Sequence, residues 1–222
     1  MSYQTLRLLF KTVAFVWLLI AANNTQAALS DMSRIFHQVP GLNDFEICFG
    51  GGCAEVKHVS LTADEWQKVT LIFANAHENA AQERQKIADA IGLLETLVGT
   101  KIGTSSDIAG TFYNGNLTGQ LDCNDEAINS TTYMRLMRQA GLIKWHDIDD
   151  TRTRNFFFTG WPHSTAAIHD VKTGEQFAVD SWFYNNGAPA TIVPFSVWKS
   201  GYRPADTPID QPQTSKVNTP VR

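Results

Sequence analysis

His163-Ser164-Thr165-Ala166-Ala167-Ile168-His169, followed by Lys172-Thr173-Gly174 and then Glu175-Gln176-Phe177-Ala178-Val179-Asp180-Ser181-Trp182-Phe183, is the stretch on which the fold turns. Two short apolar runs flank a turn signal, so the segment reads as an antiparallel hairpin. In such a pair with an even-numbered loop, odd positions of the first strand oppose even positions of the second. His163 and Asp180 are therefore expected on one face of the sheet. A carboxylate on one ring nitrogen fixes the tautomer of an imidazole and leaves the other nitrogen to take a proton.

Upstream, Gly119-Gln120-Leu121-Asp122-Cys123-Asn124-Asp125-Glu126-Ala127 opens a helical pattern. Ala127, Ile128, Thr131, Met134, Leu136 and Met137 make its apolar face, Arg135, Arg138 and Gln139 lie on the other side, and Gly141 stops it. The helix thus starts at or just before Cys123. The amides and positive dipole end found there favour a thiolate and offer donors for an oxyanion. With an imidazolium partner added, we expect the thiol to titrate below its ordinary value. Gln120, three residues before the cysteine, is a candidate oxyanion donor, with a merely solvated loop glutamine as the alternative. His169 is a reserve base on the same strand face as His163. Asp122, Asp125 and Glu126 read as helix-start residues that complement the dipole.

The first thirty residues carry Arg7 and Lys11, an apolar run from Thr12 to Ala22, and Thr25-Gln26-Ala27-Ala28. That is the pattern of a secretory signal peptide over residues 1–28, cleaved near Ala27. The apolar run is shorter than the roughly 20 residues that span a bilayer. We therefore expect a periplasmic or secreted protein, with membrane contact only through the N-terminal segment if it stays uncleaved. In an oxidising compartment, Cys48 and Cys53 around Phe49-Gly50-Gly51-Gly52 are expected to form a disulfide across a small hairpin, leaving Cys123 as the odd thiol. The polar neighbours of Cys123 argue against an inert core cysteine.

Residues 29–202 are expected to form one domain. The tail at 203–222 holds four of the eight prolines and reads as extended or disordered. Thr62-Ala63-Asp64-Glu65 has the form of a capping box. Behind it, apolar residues from Val69 to Val98 predict one long helix over Ala63–Val98, or two with a break near His77 to Ala81; Gly99, Gly103 and Gly110 mark a loop. The formal net charge is −4 and the basic residues are scattered, so no nucleic-acid footprint is present. The six histidines show no recurrent metal spacing, and no phosphate- or dinucleotide-binding glycine loop occurs, so neither metal nor cofactor is expected. Trp161, Trp182 and Trp198 read as core or cleft walls.

Taken in order, the Asp122-Cys123 helix start, the helix ending in Arg138-Gln139-Ala140-Gly141, the strand opening at His163 and the Thr173-Gly174-Glu175 turn leading to Val179-Asp180 resemble the transglutaminase-like superfamily, including its bacterial transglutaminase-like cysteine proteinases. The resemblance covers Gly119 to Phe183 and the preceding helix, not the tail. Ser164-Thr165 departs from it, since many relatives place an aromatic residue after the histidine. It implies an α+β fold with a papain-like core, the cysteine helix packed on an antiparallel sheet. It also implies Cys123 as nucleophile, His163 as base and Asp180 as orienting group, acting on a peptide or protein substrate through a thioester. Hydrolysis by a protease or amidase is the expected outcome, and transfer of the acyl group to an amine is the alternative. Two further readings stay open: an exported cell-wall peptidase of another cysteine type, whose third group is commonly a second histidine, and a non-catalytic peptide-binding domain of the same fold.

Overall fold

The computed structural model describes residues 39–75, 78–111, 118–154 and 162–207. The expected signal segment, Trp161 and the tail beyond Thr207 lie outside these residues. In chain order the elements are β1 (Phe45–Phe49), β2 (Glu55–Val59), α1 (Ala63–Ile72), α2 (Ala80–Ile102), α3 (Cys123–Gln139), β3 (His146–Arg154), β4 (His163–Asp170), β5 (Gln176–Asp180), β6 (Thr191–Pro194) and α4 (Phe195–Lys199). They form an α+β fold with two antiparallel sheets, the pair β1-β2 and the four-stranded β3-β4-β5-β6.

The hairpin forms in the register that alternation predicts, with Ala166 opposite Val179 and Ile168 opposite Phe177 and no bulge between β4 and β5. β5 stops at Asp180, short of the Phe183 boundary read from sequence. Ser181 to Phe183 turn away instead, and the Trp182 carbonyl accepts the Gly110 N–H at 2.9 Å. β3 is an edge strand whose pairing with β4 shifts between Asp149 and Arg152.

The expected capping box closes at the start of α1, where the Thr62 hydroxyl accepts from the Glu65 N–H and the Glu65 carboxylate accepts from the Thr62 N–H. The apolar run that follows is two helices rather than one. α2 runs through Gly99, which sequence reading assigned to a loop, and ends at Gly103 in the left-handed region at φ 87°. Gly99 sits inside the helix because Ser105 and Asn186 come so close that a Cβ there would lie 3.1–3.3 Å from them. Close packing, not a turn, is its role.

α3 is central among the described elements. Its apolar face packs on β4 and β3, and β1 covers a further side. That is why polar residues such as Asn129, Ser130, Thr131 and Thr132 are buried along with Ile128, Met134 and Met137. The main core joins Phe45, Ile47, Val69, Ile87, Ile91, Leu94, Met134, Met137, Ile143, Ile168, Phe177 and Val179. A second cluster of Cys123, Trp182 and Phe183, with Tyr184 and Tyr202 against it, lies at the start of α3. Residues 203–207, read from sequence as the start of a disordered tail, pack back onto this end. The Thr207 hydroxyl donates to the Phe183 carbonyl at 2.7 Å and Tyr184 donates to Asp206 at 2.6 Å. Among the described residues no helix is long and apolar enough to cross a membrane.

Candidate active site

Asp122 caps α3. One of its carboxylate oxygens accepts from the N–H groups of Asn124 (2.9 Å) and Asp125 (3.0 Å), and its backbone carbonyl accepts from Glu126 N–H (3.1 Å). The cap thereby uses amides that sequence reading left open for an oxyanion. Cys123 is the first helical residue and a free thiol, 7% exposed.

β4 meets this helix start head on. The Ser164 N–H favours the charged form of the Cys123 sulfur, opposing burial. The Ser164 hydroxyl donates to Asn124 Oδ1 at 2.7 Å. Ser164 has a structural use here: its short hydroxyl reaches the start of the helix.

His163 Nε2 lies 2.7 Å from Asp180 Oδ2. Because the carboxylate accepts, Nε2 carries the hydrogen, and in the neutral ring Nδ1 holds the lone pair. Nδ1 is buried and has no hydrogen-bond partner, the Cys123 thiol included. The ring is walled by Trp182, Phe183 and Trp198, with centroids 4.6, 5.5 and 5.7 Å away. A buried unpaired acceptor is costly and uncommon. Here it is the one ring nitrogen not engaged by Asp180.

Two residues at this site escaped sequence reading. Trp198, expected only as a wall, donates its indole N–H to Asp180 Oδ2 at 2.6 Å, so the same oxygen receives His163 and Trp198. Arg154, opposite His163 in the β3–β4 register, is 8% exposed. Its Nη1 donates to the carbonyls of Trp198 (2.7 Å) and Tyr202 (3.1 Å), and its guanidinium lies 4.8 Å from the Trp198 ring centroid. Nothing local in Asp150-Thr151-Arg152-Thr153-Arg154 separates the buried arginine from the exposed one two residues earlier. The pairing with β4 does that.

Burial pushes the Cys123 thiol up to about 11; the Ser164 and Cys123 N–H groups oppose this, while Asp122 and Asp180 reinforce it. The expectation of a depressed thiol is overturned. The positive end of α3 is already neutralised by the capping carboxylate of Asp122, and the cleft is too dry to favour a bare thiolate. Under the helix start lie further buried carboxyls. Glu126 is pushed well up by burial and by the charges of Asp107, Glu95 and Asp180. Burial also raises Glu95 and Asp107, and Asp107 holds the Leu121 N–H at 2.8 Å.

Gln120 is neither solvated nor turned to the sulfur. Its Oε1 accepts from the Ile108 N–H (3.1 Å) and the Thr111 hydroxyl (3.0 Å), and its Nε2 donates to the Ser106 carbonyl (2.9 Å). It braces the loop leading into α3. His169 lies six residues along β4 from His163, roughly 20 Å at the strand rise, and pairs with Asp149 at 2.8 Å. It is too far from Cys123 to serve as its base. A third histidine, His146, is fully buried between Glu83 (2.9 Å) and Arg84 (3.2 Å) and belongs to the far end of α2. Since arginine only donates, His146 Nε2 accepts and Nδ1–H faces Glu83, a structural arrangement. Among the described residues no three His, Cys, Asp or Glu side chains are placed to hold a metal ion.

Cys48 and Cys53 are joined by a disulfide in the β1–β2 hairpin. Comparison of the chain with protein-family models, with curated proteins and with solved structures returns no match.

Proposed function

We propose that this chain is an exported cysteine hydrolase, a protease or amidase, built on the papain-like core of the transglutaminase-like superfamily, with Cys123, His163 and Asp180 as its triad. The observation that carries the proposal is the histidine: Nε2 tied to Asp180 at 2.7 Å and Nδ1 buried without a partner, on a strand whose next residue donates its hydroxyl to Asn124, the neighbour of Cys123. In the reaction, the Cys123 sulfur attacks the carbonyl carbon of an amide while its proton passes to His163 Nδ1. Rotation of the thiol toward the ring accompanies this step, since no hydrogen bond joins them at rest. The Cys123 N–H, which the Asp122 carboxylate does not take, serves as a donor to the tetrahedral oxyanion. His163 then gives its proton to the leaving nitrogen, the C–N bond breaks and a thioester remains. Water, deprotonated by His163, attacks the thioester, and its proton returns to the sulfur as the acid departs. Asp180 holds the ring and offsets its charge throughout.

The thiol, raised by burial, fits a general-base mechanism rather than a standing thiolate–imidazolium pair. The same burial favours the second reading, a peptide-binding domain that keeps the fold without turnover. An electrophilic thiol probe separates the two. Covalent labelling of Cys123 that is lost in His163→Ala and weakened in Asp180→Ala supports the hydrolase; equal labelling of all three proteins rejects it. Adding a primary amine to a turning-over substrate then measures how the acyl group divides between water and amine.

A further inference from the structure

The hairpin loop between β1 and β2 does more than connect them. Gly50, Gly51, Gly52 and Cys53 take four successive positive φ angles, 86°, 84°, 62° and 58°. Successive N–H groups of a turn that converge on one side form a concave anion-binding nest. Here the nest is filled by side chains of α3. The Gly51 N–H donates to Asp125 Oδ2 (2.8 Å), the Gly52 N–H to Asp122 Oδ2 (2.8 Å) and the Cys53 N–H to Asp125 Oδ1 (2.7 Å). One turn further on, Asn129 and Cys48 exchange a reciprocal pair, Cys48 N–H to Asn129 Oδ1 at 2.8 Å and Asn129 Nδ2 to Cys48 O at 2.9 Å. Positions 122, 125 and 129 are spaced by three and four, so the loop is zipped along one face of the helix whose first residue is Cys123.

We infer that the Cys48–Cys53 disulfide loop is a clamp that positions the nucleophile, so that Cys123 becomes competent only after this disulfide has formed. The inference rests on the reading of Cys123 as nucleophile. Three glycines in a row would otherwise make this one of the least ordered segments of the chain, and left-handed geometry at Cys53 is unfavourable for a non-glycine residue. Closing the loop covalently removes most of that disorder from the competing states. Without the nest, Asp122 and Asp125 lose three N–H donors while staying side by side, Asp125 fully buried and Asp122 half-buried. Two neighbouring carboxylates in that position repel, and the helix start that aims Cys123 at β4 must rearrange. Asp122 is the critical link, since one oxygen caps α3 and the other is held by Gly52.

The chemistry is a two-electron oxidation by thiol–disulfide exchange. The Cys48 and Cys53 thiols with an external disulfide give the intramolecular disulfide and two external thiols. With Cys48 and Cys53 only 0% and 2% exposed, exchange must precede final folding. A chain that folds in a reducing compartment is then inactive, and export supplies the oxidant that licenses it.

The test reads the dependence of Cys123 reactivity on His163, which a general loss of stability does not mimic. Iodoacetamide alkylation of Cys123 is measured at pH 7 in the wild type and in Cys48→Ser/Cys53→Ser, each with and without His163→Ala, on protein shown by circular dichroism to be folded. The expected result is that His163→Ala slows alkylation at least tenfold with the disulfide present, and that this factor shrinks at least fivefold without it. A smaller reduction overturns the clamp. Should His163→Ala have no effect even with the disulfide present, the triad assignment itself fails, a distinguishable outcome. If the serine pair does not fold, Asp125→Asn, which keeps the disulfide and replaces one nest acceptor by a donor, should shrink the His163 factor at least threefold; an unchanged factor overturns the clamp.

Discussion

The pH dependence of Cys123 alkylation tests the electrostatics of the site most directly. A thiol pushed to about 11 by burial carries roughly one part in 10⁴ of thiolate at pH 7, against roughly three parts in 100 for an ordinary thiol near 8.5. If alkylation proceeds only through free thiolate, Cys123 should react about 300-fold more slowly at pH 7 than an unburied cysteine of equal nucleophilicity. His163→Ala isolates that path. Its rate should climb about tenfold per pH unit from pH 6 to 10 without levelling off. In the wild type, Nδ1 of His163 offers a second path, in which the proton leaves as the sulfur attacks. The wild-type curve should therefore lie at least tenfold above the variant near neutrality and converge with it at alkaline pH. Iodoacetamide kinetics followed by intact-mass spectrometry give both curves. If the two superimpose, His163 is not the base; if the variant levels off near 8.5, burial does not control the thiol.

Cys123→Ala and His163→Ala should each abolish hydrolysis with unchanged circular dichroism, a loss of at least roughly 10² to 10⁴. Asp180→Ala should retain more activity but unfold earlier in denaturant, by about 1–3 kcal/mol, because His163 and Trp198 both lose their acceptor. Arg154→Met keeps the stem and removes the charge. It should cost about 1–3 kcal/mol in denaturant melts by leaving the Tyr202 carbonyl without its Arg154 donor and the Trp198 carbonyl with backbone donors alone, and should slow Cys123 alkylation further. Thermal stability should fall between pH 5 and pH 8. Burial raises Asp125 to about 7, Glu95 to about 7 and Asp107 to about 6. The folded state therefore binds protons more tightly than the unfolded chain, and the stability these groups give is complete below about pH 4 and lost as pH rises through 7. Glu83, Glu65 and Asp170 are shifted down and act only at lower pH, so they leave this window alone. Scanning calorimetry of the wild type and Glu126→Gln should show the decline and its flattening; a midpoint rising across this range would contradict the burial of these carboxyls.

What was legible in the sequence is what short-range chemistry determines. Alternation around Lys172-Thr173-Gly174 is enough to place His163 and Asp180 on one face, because strand register across a tight turn is a local matter. The Thr62 and Asp122 caps likewise lie within a few residues of their partners. Long-range pairings were not legible. Nothing in Asp122 or Asp125 announces a glycine nest 70 and 74 positions away. β3 escaped because His146-Asp147-Ile148-Asp149-Asp150 is too charged to alternate, as suits an edge strand. α4 is five residues long with no side-chain cap, so Trp198 gave no sign that it reaches Asp180. The thiol was misjudged for the same reason: a helix dipole is visible in sequence, whereas burial and the use of the cap by Asp122 are properties of the assembled site.

That misjudgement changes the chemistry assigned to the cysteine. Around Cys123, Asp122 and Asp180 act to suppress a negative sulfur, as does burial. Arg154 is the buried cation among the described residues whose charge is coupled to both Cys123 and Asp180. A thiolate formed in advance of substrate would have to overcome the desolvation cost and both carboxylates. Transferring the proton to Nδ1 during attack avoids the problem, since negative charge then moves from the sulfur to the carbonyl oxygen as it forms. The positive charge arises on a ring already bonded to Asp180. On this account the same carboxylate that makes the resting thiolate unfavourable stabilises the imidazolium in the transition state, so Asp180 keeps the nucleophile quiet until a carbonyl is in place.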